Sequence, residues 1–161
     1  MRKIIFTTIL VFLFFLIEFY LFKTGGRWLM PNLLLLIVIY LNLVFGIRYS
    51  IFAAVIAGLL KDSFSVGVFG FNIFVFVLCA YITTILKRYL HYVASRQTRL
   101  FLVFLILLVH VTVSCFLHLM VEKVNIVHAI QFIFIPEIVT TLIVATFVFA
   151  QLKKCVLKFF A

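Results

Sequence analysis

Residues 57–71 read AGLLKDSFSVGVFGF, and the meaning of this stretch decides the fold. Lys61 and Asp62 stand side by side at the end of an apolar run, and Gly67 and Gly70 follow before the chain turns apolar again. In a soluble protein such a pair marks an ordinary surface turn. Here the surroundings are hydrocarbon: of 161 residues 68% are apolar and 11% charged, with 22 phenylalanines. A soluble domain carries about a quarter of its residues charged, so this chain cannot cover itself in water. Several apolar runs approach the roughly 20 residues that cross a bilayer. Lys61 and Asp62 therefore end a membrane helix. The expected fold is all-α, a polytopic bundle of about six transmembrane helices forming one domain over residues 1–161.

Working outward, the spans fall at about 4–22, 29–47, 51–62, 68–86, 100–121 and 126–152. The first (in MRKIIFTTILVFLFFLIEFYLF) starts like a signal peptide, but its apolar run is long and no A-x-A site follows, so it reads as a retained helix. Pro31 is expected in the first turn of the second span, where a missing N–H costs little. Arg48, Tyr49 and Ser50 are expected to separate the second span from the third. Only 12 residues lie between Arg48 and Lys61, roughly 18 Å of helix, which is short for a bilayer. Within it Ala53/Ala57 and Ala54/Gly58 are spaced four apart, a small-residue face that lets helix backbones approach closely. Strand-like alternation is missing, which argues against a transmembrane barrel.

Charge placement sets orientation and excludes a partner class. With the N-terminus inside, ten basic residues fall inside (Arg2, Lys3, Arg48, Lys87, Arg88, Arg96, Arg99, Lys153, Lys154, Lys158) and four outside (Lys23, Arg27, Lys61, Lys123). Both termini are thus expected in the cytoplasm, in the inner membrane of a bacterium once the family below is considered. The net charge of +10 sits at span ends, so nucleic acid is not an expected partner. Cys79, Cys115 and Cys155 lie in or beside apolar segments without C-x-x-C spacing, and read as small packing residues rather than a disulfide or metal framework. No inverted internal repeat is visible.

Candidate chemistry is confined to a few intramembrane polar groups. Acids inside a membrane are costly and mark functional sites by default. Glu18, Asp62 and Glu137 all map to the outer third, with His118 in the same layer, and together they are expected to line a polar cavity open to the outer face. The bland alternative for Asp62 is a tight outer turn in which it bonds free backbone N–H groups, with Gly67 and Gly70 letting the chain re-enter. Pro136 is expected to kink the sixth helix. His110, Ser114 and His118 step by four along the fifth; interhelical hydrogen bonding is favoured over haem or metal ligation. Nucleophile-elbow, zincin and phosphate-loop motifs are missing, so neither catalysis nor a metal or cofactor is expected.

The run MPNLLLLIVIYLNLVFG, then G-L-L-K-D, then V-G-V-F-G-F before another apolar span, resembles MreD, the rod shape-determining membrane protein family of bacteria. The residues carrying the resemblance are Gly58, Asp62, Gly67 and Gly70, with Pro31 in support. Asn72 stands where that family more usually has an apolar or small residue. The family is similar in architecture to the substrate-binding subunits of energy-coupling-factor vitamin transporters. The resemblance implies a non-enzymatic scaffold of the cell-elongation complex that binds MreC and, through it, MreB, RodA and a class B penicillin-binding protein, in support of lateral-wall peptidoglycan synthesis. In that reading a partner helix is received at the Ala53, Ala54, Ala57, Gly58 face or its outward neighbours. The alternative is a vitamin-transporter subunit; the first span, with no alanine to contact energising partners, argues against it.

Overall fold

The computed structural model describes residues 2–25, 31–64, 69–89, 96–122 and 135–160. Among these the protein is all-helical, with α1 (Arg2–Gly25), α2 (Leu33–Phe45), α3 (Ile47–Phe64), α4 (Phe71–Tyr89), α5 (Arg96–Glu122) and α6 (Ile135–Phe160). α1, α4 and α5 each contain a stretch long and apolar enough to cross a membrane, and α2 and α6 contain shorter apolar helices. The chain is a polytopic membrane bundle.

Exposure shows which side of each helix meets lipid. α1 presents Ile5, Ile9, Phe12, Leu16 and Tyr20 outward, and α6 presents Val139, Ile143 and Phe147. Such surfaces suit hydrocarbon and not water. α2 is the opposite case, since every residue from Leu33 to Asn42 is at most 5% exposed. It touches α1, α3, α4 and α6, while α5 joins α4 to α6. The other five helices thus wrap around α2. Lipid tails are as apolar as leucine, so close packing and hydrogen bonds, not withdrawal from water, hold this arrangement.

The boundaries around α2 differ from the sequence-based expectation, and each difference has a local cause. The second and third helices are separated by one residue, Gly46, and not by Arg48 to Ser50. Gly46 adopts φ +89°, a conformation open to glycine at little cost, and its N–H closes the helix on the Asn42 carbonyl. Arg48, Tyr49 and Ser50 then belong to the first turn of α3, and the buried Ser50 hydroxyl donates to the Val38 carbonyl at 2.9 Å. α3 is accordingly 18 residues long, not 12. At the other end Pro31 precedes the helix, and Asn32 is the cap: its Oδ1 accepts from the Leu35 N–H at 3.2 Å. Pro136 is the second described residue of α6, and the residues before Ile135, on which the expected kink would show, lie outside the described residues.

The small-residue face of α3 is filled by the chain's own helices. Ala53, Ala54 and Ala57 are fully buried. A Cβ on Gly58 would lie 2.6 Å from the Ile73 amide nitrogen and closer still to its Cα. α4 therefore crosses α3 backbone to backbone at Gly58, and no room is left there for a partner helix.

Candidate functional site

The start of α2 lies below the rim of the bundle formed by the end of α1. α1 runs upward past Glu18 for seven more residues to Gly25, roughly 10 Å. Glu18 Oε2 accepts from the Leu34 N–H at 3.0 Å, which sets the first turn of α2 level with Glu18. A helix start leaves N–H groups without intrahelical partners, and in hydrocarbon each unsatisfied one costs several kcal/mol by order of magnitude. Asn32 and Glu18 supply acceptors for two of them, and a carboxylate also suits the positive end of the helix dipole.

From this point a polar layer spreads across the bundle. The Asn32 amide nitrogen donates to Glu137 Oε1 at 2.8 Å and lies 3.4 Å from His110 Nε2. Its backbone N–H donates to Thr141 Oγ1 at 2.9 Å. Because Asn32 Nδ2 can only donate, it fixes His110 Nε2 as acceptor, and the ring proton of a neutral His110 sits on Nδ1. That Nδ1 has no hydrogen-bond partner among the described residues and lies 3.8 Å from Glu137 Oε1. Across the layer, Lys61 Nζ is 3.5 Å from Glu18 Oε1 and 5.5 Å from the centre of the Phe76 ring, which in turn packs on His110. Residues of α1, α3, α4, α5 and α6 thus gather around the cap of α2.

Asp62 does different work. Its Oδ2 accepts from the N–H groups of Gly70 at 3.0 Å and Ile73 at 3.4 Å. Its Oδ1 accepts from the Asn72 N–H at 3.0 Å and the Asn72 side chain at 2.8 Å. A carboxylate at the end of α3 therefore caps the start of α4, next to the Gly58 crossing. Gly70, at φ +96°, makes the turn that brings these donors round. Asn72 reinforces the cap.

Of the four residues expected to share an outer cavity, Glu18 and Glu137 both reach the start of α2, Glu18 at the Leu34 N–H and Glu137 at the Asn32 side chain. Asp62 turns to α4 instead, and the His118 side chain lies outside the described residues, as does Gly67. His110, two turns earlier on α5, is a member of this layer that the expected set did not include. Asn32, Lys61 and Thr141 were missed as members. Asn32 carried a readable signal, since an Asn after Pro at the head of a leucine run is an N-cap signature. Among the described residues no three metal-ligating side chains come together, and His110 is engaged with Asn32 in the hydrogen-bonding role.

The arrangement is a set of fastenings placed where helices begin. A family model described as rod shape-determining protein MreD matches residues 1–159. The chain belongs to the MreD family. No curated protein and no solved structure matches it, so the likeness to energy-coupling-factor subunits rests on the resemblance alone. In this MreD-family chain Gly58, Asp62 and Gly70, three of the residues on which the resemblance was read, join α3 to α4.

Proposed function

We propose that this MreD-family protein is a non-enzymatic subunit of the bacterial cell-elongation complex in the inner membrane, binding MreC and thereby supporting lateral-wall peptidoglycan synthesis. The family match over nearly the whole chain carries the reading, because it assigns a role in rod shape determination. The bundle adds a physical reason. α2 is enclosed on all sides and hydrogen-bonded at both ends, so the protein offers a stiff body with an apolar outer wall. The Ala53–Gly58 face is already occupied, so MreC is received on lipid-facing helices.

The test is purification of the tagged chain from rod-shaped cells in mild detergent, with mass spectrometry of what remains bound. MreC, with RodA and a class B penicillin-binding protein in lower amount, is the expected set. ATPase modules of a vitamin transporter in place of MreC would overturn the proposal.

A further inference from the structure

All of the net charge resides at one end of the bundle. The four acidic residues are Glu18, Asp62, Glu122 and Glu137. Helix directions put all four in the half that holds the outer ends of α1, α3 and α5 and the start of α6. Lys23 and Lys61 fall in that same half, and of the remaining two basic residues Arg27 follows α1 and Lys123 follows α5 in the sequence, so the acids there are matched by as many cations. The opposite end carries ten basic residues and no acid, which accounts for the whole +10. Orienting a chain needs only a modest excess of Lys and Arg, so this one-sided set exceeds what topology requires.

The described part of that end is concentrated at the Gly46 turn. Lys3 Nζ lies 5.6 Å from the centre of the Phe45 ring, and Phe45 packs on Tyr49. Lys87 Nζ donates to the Leu43 carbonyl at 2.9 Å. Residues from α1, α3 and α4 therefore bring Lys3, Arg48 and Lys87 to one turn, with Arg88 next to Lys87 in the chain, and Lys3, Arg48 and Arg88 are exposed. Tyr89, 81% exposed beside Arg88, is a side chain suited to the headgroup level, with its ring toward the acyl chains and its hydroxyl in the polar zone. A ring at that level would set the neighbouring cations at the depth of lipid phosphates.

We infer that the basic collar around the Gly46 turn, built on Lys3, Arg48, Lys87 and Arg88, binds the phosphate headgroups of anionic phospholipids. Phosphates accept the hydrogen bonds that exposed Lys and Arg side chains offer, and no carboxylate at that end competes for them. Anionic lipid is also the one polyanion in permanent contact with this rim of a membrane bundle. Each cation near an anionic surface contributes about tenfold or less to affinity, so the collar works as a set.

Native mass spectrometry of the full chain in detergent tests this, with phosphatidylglycerol and phosphatidylcholine offered together at equal concentration. Preferential retention of phosphatidylglycerol is expected, decreasing with added salt. The variant combining Arg48→Gln and Arg88→Gln removes two exposed cations, and is expected to weaken that retention by roughly ten- to thirtyfold. Its helical circular dichroism should match the parent, and Lys23→Gln at the other end should leave retention unchanged. Equal retention of the two lipids would overturn the inference. So would an equal loss in Lys23→Gln, displacement by millimolar inorganic phosphate, or preference for an acidic peptide over lipid. If the double variant misfolds, charge-retaining Arg48→Lys with Arg88→Lys must keep the lipid preference, and its loss there counts against the collar.

Discussion

Asp62 and Gly58 show how one residue can fix the relation of two helices. The Asp62 carboxylate takes four N–H donors from residues 70–73. Removing it leaves part-buried donors without their acceptor, at about 1–3 kcal/mol for each that finds no substitute. Asp62→Ala is therefore expected to lower the detergent unfolding midpoint clearly while leaving membrane insertion intact, and to reduce co-purification of MreC. Asp62→Asn retains one acceptor oxygen and should fall between. An unchanged midpoint and normal MreC recovery in Asp62→Ala would remove Asp62 from any joining role. Gly58 fails for another reason: its missing Cβ is the space in which the Ile73 backbone lies. Backbone cannot move aside as a flexible side chain does, so Gly58→Ala should cost about 1–3 kcal/mol, read as a lower thermal midpoint. A midpoint within a degree of the parent would show that α3 and α4 can separate freely.

At the scale of the element, α2 is defined by what holds its ends. Glu18 and Asn32 accept N–H groups at its start, and Lys87 donates to the Asn42 and Leu43 carbonyls at its finish. An acid at the positive end and a base at the negative end both favour the helix dipole. Midway along the lower half, Asn42 donates to the Ala80 carbonyl and to Thr84, so even the lone amide of this helix is satisfied by α4. Lys87→Met keeps the apolar stem and removes the ammonium; it should cost about 1–2 kcal/mol and speed amide exchange near the Gly46 turn. Unaltered exchange there would show that Lys87 contributes nothing to the end of α2. The existence and order of the helices were legible because long apolar runs and their punctuating charges survive in the sequence. The Gly46 break was not, because Arg48 and Ser50 look like loop residues until a buried hydroxyl bond and an exposed guanidinium are seen to share one helix. Nor was the polar layer complete in the sequence: Glu18 and Glu137 stand out as intramembrane acids, but Asn32 enters the layer only through tertiary contacts 78 or more residues apart, to His110 on α5 and Glu137 on α6.

The whole molecule adds an asymmetry that no helix possesses alone. Ten basic residues at one end and none of the four acids set a strong preference for which side of the membrane that end occupies. Carrying one positive charge outward against a potential of about 100 mV costs about 2.3 kcal/mol, and a collar of several such charges makes the inverted topology inaccessible. Antiparallel connection of the helices puts both termini at the end that carries the collar, and the charge excess makes the cytoplasmic side the expected one for that end. Single cysteines introduced as Lys23→Cys, Arg48→Cys and Arg88→Cys, in a chain whose native Cys79, Cys115 and Cys155 are replaced by alanine, read this directly. A membrane-impermeant maleimide added to spheroplasts is expected to label position 23 alone, with positions 48 and 88 reacting only after lysis. Labelling of 48 or 88 in intact spheroplasts would invert the topology, and would move Glu18, Asn32 and Glu137 to the cytoplasmic half of the membrane, where a partner with a periplasmic domain could not reach them from outside.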